Sequence, residues 1–98
     1  MIVVRDVFQL KFGQAREAVA LWKEGLELGR TLGFPEARLL TDRVGPFYTL
    51  VLETEYPDLA EYERVTAAVL GDDRWQKWYK NIVPLVESGR REILKAVE

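Results

Sequence analysis

The chain opens on alternating polar and apolar residues. Ile2, Val4, Asp6, Phe8, Leu10 and Phe12 share one parity, and Val3, Arg5, Val7, Gln9 and Lys11 share the other. A period of two with β-branched and aromatic content predicts a strand from Ile2 to Phe12, broken at Gly13. The period then changes. Ala15, Ala18, Val19, Trp22, Gly25, Leu26, Gly29 and Leu32 recur every three or four residues, which predicts a helix from Gln14 to about Leu32. Gly25 and Gly29 fall on its apolar stripe. Glycine costs about 1 kcal/mol against alanine inside a helix, and close approach to a neighbouring element is the natural compensation. Leu21 and Leu28 lie off that stripe, where another subunit can seat them. Gly33 suits a C-cap and Pro35 forbids continuation.

Two strands follow, Ala37 to Val44 and Tyr48 to Tyr56, joined at Gly45-Pro46. Proline has no ladder donor and belongs in the connection. The second strand alternates Tyr48, Leu50, Leu52, Thr54 and Tyr56 against Thr49, Val51, Glu53 and Glu55. Pro57-Asp58-Leu59-Ala60-Glu61 starts a helix, with Asp58 as N-cap and Glu61 as the reciprocal member of a capping box. Leu59, Tyr62, Val65 and Val69 form its apolar face, with Thr66 beside them. Gly71 interrupts this helix, and Asp72 or Asp73 restarts it. Trp75, Trp78, Tyr79, Ile82 and Val83 continue at helical spacing, bounded by Pro84 and Gly89. The tail alternates again from Arg90 to Val97 and predicts a last strand.

The order β-α-β-β-α-β is the ferredoxin-like split βαβ arrangement of the α+β class. It predicts one four-stranded antiparallel sheet with the helices on one face. Val3, Val7, Val51 or their alternates leave apolar side chains on both sides of the sheet, so the face without helices is apolar too. Such a face is a large exposed patch unless something covers it. The simplest cover is a second copy packed sheet to sheet about a two-fold axis, which makes a homodimer.

Composition narrows the function. Residues 1–98 are one domain, long enough to bury a core without disulfides or metal. Cysteine and histidine are both absent, so thiolate chemistry, Ser-His-Asp and Cys-His triads and the commonest transition-metal ligands are excluded. A net charge of −2 does not favour a nucleic acid or an anionic membrane as partner. No Gly-rich phosphate loop or nucleophile elbow occurs. No apolar run approaches a membrane span, and Met1 leads into Ile2-Val3-Val4 without a basic signal-peptide region, so the default location is cytoplasmic. One Asn, one Met and many Arg and Glu fit a thermophilic source.

Two stretches resemble a known family. Arg5-Asp6-Val7-Phe8-Gln9-Leu10-Lys11-Phe12-Gly13 looks like the strand-into-helix start of NIPSNAP-like proteins, with Phe12 where a proline is frequent. Asp73-Arg74-Trp75-Gln76-Lys77-Trp78-Tyr79, followed by Pro84-Leu85-Val86, resembles the aromatic helix before their last strand. The wider set is the dimeric α+β barrels, which include antibiotic-biosynthesis monooxygenases and haem-degrading relatives. The resemblance implies a homodimer whose sheets form a barrel, with a small-molecule cavity in each subunit between sheet and helices. It implies no particular reaction, because such folds host many functions.

The residues that can carry chemistry are few. Trp75, Trp78 and Tyr79, with Trp22 from the first helix, can wall a pocket for a planar apolar ligand, or simply fill the core. Asp6 stands on an otherwise apolar strand face, which is costly unless the carboxylate is paired or solvated. It is a candidate general base, or the ion-pair partner of Arg38, Arg43 or Arg91. Arg38 and Asp42 read as cross-strand charge partners. Tyr48 and Tyr56 can handle a proton in a cofactor-free oxygenation, where monooxygenase relatives use Tyr, Trp and Asn, and Asn81 is the only Asn. Hairpin packing explains the same tyrosines without chemistry. Histidine-ligated haem is excluded. Asp72-Asp73 lacks a third metal ligand and reads as a helix cap. The expected protein binds a small apolar or aromatic molecule and needs no cofactor or metal. The alternative is a cofactor-independent monooxygenase or isomerase, with Asp6 and Tyr48 as catalytic candidates.

Overall fold

The computed structural model describes residues 1–97. Strand β1 (Ile2–Leu10) leads through a turn at Gly13 into helix α1 (Ala15–Leu32). Strands β2 (Ala37–Thr41) and β3 (Thr49–Tyr56) form the hairpin, helices α2 (Leu59–Leu70) and α3 (Asp73–Ile82) follow, and β4 (Val86–Lys95) closes the fold. The sheet is antiparallel throughout, in the order β2-β3-β1-β4. This is the ferredoxin-like arrangement, with the region after the hairpin divided into two helices and a 3₁₀ turn, Val83–Leu85.

Capping chemistry sets the helix limits. Gly33 takes φ +117° and its N–H reaches back to Arg30, closing α1 with a left-handed residue. Asp58 Oδ1 accepts from the Glu61 N–H at 2.8 Å and starts α2. The Glu61 side chain accepts from Arg64 at 3.0 Å and is not the reciprocal member of a capping box. Asp72 Oδ1 accepts from the Arg74 N–H at 2.8 Å and starts α3.

Several element ends differ from the sequence reading. β1 stops at Leu10, because the Lys11 N–H turns away to donate to the Leu85 carbonyl at 2.9 Å. Phe12 therefore lies outside the strand and is exposed. β2 ends at Thr41 and not at Val44, and Tyr48 sits in the turn at φ 60°. β4 begins at Val86, four residues before the predicted Arg90, so Gly89 lies within a strand and bounds no helix. An irregularity at Gln9/Leu10 lets β1 pair as far as Val86. β4 is an edge strand, and its first residues, Glu87-Ser88-Gly89, carry no apolar alternation.

Register fixes which side chains share a face. Asp6 lies between Leu52 and Arg91, and Val4 lies between Thr54 and Ile93. Val4, Leu10, Leu50 and Tyr56 join Trp22, Val69, Trp75, Trp78 and Ile82 in the core between sheet and helices. Trp78 lies between Trp22, which meets it edge-on, and Trp75, which meets it tilted, with centroids 4.7 Å apart in each pair.

The opposite face carries Val3, Val7, Leu40 and Val51, crossed by a row of alternating charge. Arg38 reaches Glu53 at 3.6 Å, Glu53 meets Arg5 at 3.3 Å, Arg5 meets Glu92 at 3.5 Å, and Glu92 meets Arg90 at 3.2 Å. Arg38 thus pairs with Glu53, while Asp42 accepts a hydrogen bond from the Thr49 N–H at 3.0 Å. These are the nearest-neighbour charge pairs that the register permits.

Candidate functional site

A cavity of about 280 Å³ lies between the sheet and the helices. This is close to the lower end of the usual range for small-molecule sites, about 300–1,000 Å³. β1 supplies Val4, Asp6 and Phe8 from its even face, and β3 supplies Leu52, Thr54 and Tyr56. α1 contributes Trp22 and Leu26, α2 contributes Tyr62, Thr66 and Leu70, and α3 contributes Trp75 and Tyr79. Phe34 closes one side, edge-on to Trp75 with centroids 5.3 Å apart.

The walls are aromatic because small residues let α3 approach α1. A Cβ on Gly25 would overlap the Trp78 indole, and one on Gly29 would lie 2.8 Å from Phe34 and 3.3 Å from Trp75. Gly29 therefore positions two residues of the cavity wall.

One end of the cavity is polar. Asp6 accepts a hydrogen bond from Arg91 Nε at 2.5 Å, with the carboxylate side chain only 18% exposed and the guanidinium 54%. The carboxylate holds Arg91 more firmly protonated than usual. Arg91 also lies 6.0 Å from the centroid of the Tyr62 ring. Tyr62 packs edge-on against Tyr56 at 5.2 Å. Burial pushes the Tyr56 hydroxyl up to about 12, against the opposing effect of its hydrogen bond with Thr54, so it stays protonated at neutral pH. Asp6 thus has Arg91, out of the three arginines the sequence allowed, as its partner.

The pocket candidates separate. Trp22, Trp75 and Tyr79 line the cavity, with Tyr79 half exposed. Trp78 does not: its indole is spent on core packing and its Nε1 donates to the Leu21 carbonyl at 2.9 Å. The Nε1 groups of Trp22 and Trp75 have no acceptor among the described residues. The two catalytic candidates are also apart. Asp6 is in the cavity, whereas Tyr48 lines a separate, open groove of about 870 Å³ beside Phe12, Phe47 and Lys23. No geometry joins Asp6 and Tyr48 in one reaction.

Sequence reading passed over Tyr62, Thr66, Phe34 and Leu70 as cavity residues. Tyr62 and Thr66 were legible as one helical face, but their position opposite Asp6 depends on how α2 docks. Arg91 was legible only as one possible partner. Among the described residues, no group of three or more His, Cys, Asp or Glu side chains is placed to hold a metal ion. No described helix is long and apolar enough to cross a membrane.

Comparison with known proteins agrees with the fold. An uncharacterized NIPSNAP-like domain protein from Burkholderia xenovorans superposes with a TM-score of 0.89 at 27% identity, covering 98% of this chain and 84% of that one. A NIPSNAP family protein with unknown function from Agrobacterium tumefaciens superposes with a TM-score of 0.89 at 23% identity, covering 98% and 87%. SnoaB, a cofactor-independent oxygenase from Streptomyces nogalater, shares the fold at a TM-score of 0.75 and 14% identity, covering 99% and 93%. Among curated proteins, none matches the chain in sequence. The NIPSNAP family model matches residues 5–98, and the chain belongs to the NIPSNAP family.

Proposed function

We propose that this protein is a homodimer that binds a small apolar or aromatic molecule in the cavity between sheet and helices. The observation that carries the binding reading is the aromatic cavity itself. Trp22, Phe34 and Trp75 wall a space of about 280 Å³ into which the Asp6–Arg91 pair is set, with Glu27, Arg30 and Glu36 also on its lining. Apolar walls with a few convergent polar groups are the usual form of a small-molecule site. The dimer reading rests on the sheet face away from the helices, where the half-buried Val3, Leu40 and Val51 flank the charge row. A second sheet would cover those side chains and shield the ion pairs from solvent.

Two measurements test this. Sedimentation equilibrium should give twice the 11.3 kDa chain mass, and Val51→Lys should shift it towards the chain mass. A wild-type monomer at micromolar concentration would remove the dimer. Titration with 2-quinolinone, followed by NMR, should move the indole N–H resonances of Trp22 and Trp75. Unmoved indole resonances up to the solubility limit of the probe would remove the binding reading.

Cofactor-independent oxygenation is the second reading, favoured by the fold shared with SnoaB and by a carboxylate inside the cavity. It is weaker, because Asp6 already accepts the Arg91 N–H and Tyr48 faces a different groove. A general base must reach the proton it removes. Oxygen uptake in the presence of an oxidisable aromatic substrate, abolished by Asp6→Asn, would favour this reading.

A further inference from the structure

We infer that the cavity selects a flat one- or two-ring molecule whose edge carries a hydrogen-bond donor beside a carbonyl, as in a cyclic amide. This rests on the binding reading above and names the ligand's chemistry. Asp6 and Arg91 meet through a single hydrogen bond, Nε to carboxylate. Each partner keeps unused capacity. A carboxylate has about four acceptor sites, and a guanidinium five N–H donors. The pair therefore presents an acceptor and donors side by side, and both residues line the cavity. Its charges cancel, so it calls for no net charge on the ligand. The complement is a neutral edge with one donor, which Asp6 accepts, and one acceptor, to which Arg91 donates.

The shape of the cavity agrees. The space around this pair is bounded by the rings of Phe8, Trp22, Tyr62 and Trp75, which suits a flat ligand. Tyr56 stays protonated and adds a hydroxyl rather than a charge. The Asp6–Arg91 pair thus reads hydrogen bonds rather than a net charge.

The test uses the full-length protein and three probes of nearly one shape: 2-quinolinone, N-methyl-2-quinolinone and 2-methylnaphthalene. The first has donor and acceptor, the second has lost the donor, and the third has lost both. Calorimetry should show 2-quinolinone binding about tenfold tighter than N-methyl-2-quinolinone, the worth of one hydrogen bond to a charged group. The hydrocarbon should be weaker still. Asp6→Asn and Arg91→Gln, each checked for native far-UV dichroism, should bring the three affinities together. Equal affinities in the wild type would overturn the selectivity and leave the binding reading standing. A preference that survives both substitutions would overturn the assignment to this pair. Absence of binding by all three probes would overturn the binding reading, and this inference with it.

Discussion

Trp78 of α3 lies across Gly25 of α1, so closely that a Cβ on the glycine would overlap the indole. The same indole donates from Nε1 to the carbonyl of Leu21, one helical turn earlier, at 2.9 Å. Packing and hydrogen bonding thus fix the two helices at one separation. That separation sets the depth of the neighbouring cavity.

Gly25→Ala should accordingly destabilise the fold, although alanine is the better helix former by about 1 kcal/mol. Overpacking typically costs about 1–3 kcal/mol, and the atoms in the way belong to the buried, hydrogen-bonded indole of Trp78. The urea midpoint should fall at constant protein concentration. A raised midpoint would mean that Trp78 can withdraw without penalty.

The Asp6–Arg91 pair should be coupled, but modestly. One partner is more than half exposed, and ion pairs in contact with solvent are worth about 1 kcal/mol or less. A double-mutant cycle with Asp6→Asn and Arg91→Gln should give a coupling of about that size. A coupling near zero would mean that water replaces either partner freely.

Tyr56 should make stability fall at high pH. Its folded value of about 12 lies above the ordinary 10 of the unfolded chain. The unfolded state therefore ionises first, and the stabilisation is intact below pH 10 and lost as pH rises towards 12. The loss should reach about 2 kcal/mol. Urea denaturation of wild type and Tyr56→Phe at pH 9 and 11 should show the steeper decline in wild type. Parallel declines would assign it to other groups.

Asp58 should behave as a helix cap. Its carboxylate accepts the Glu61 N–H at 2.8 Å. Asp58→Ala should lower stability by about 1 kcal/mol, and Asp58→Asn by much less, because asparagine caps nearly as well. Thermal unfolding followed by dichroism distinguishes the two variants.

Much of the fold was legible in the chain. Alternation in Ile2 to Leu10 and in Thr49 to Tyr56 identified the two central strands, because each buries one face and exposes the other. The glycine stripe of α1 was legible as a place of close approach, though not what approaches it. β4 starts before its alternation does, because Glu87, Ser88 and Gly89 are exposed on an edge strand and carry no apolar rhythm. Trp78 and Trp75 looked equivalent at helical spacing. Only docking against α1 turned Trp78 into the core and Trp75 to the cavity wall.

By itself the sequence determined which chemistry is excluded, through the absence of histidine and cysteine, and which residues alternate or repeat. It also determined that Asp6 needs a partner, since a carboxylate on an apolar face must be paired or solvated. The tertiary structure alone decided that the partner is Arg91, 85 residues away. It alone brought Tyr56 and Tyr62 to the same end of the cavity and left Tyr48 in another groove. The reason is physical. Periodicity reports which side of an element is buried, whereas a site is made where different elements meet, and strand register and helix docking set that meeting.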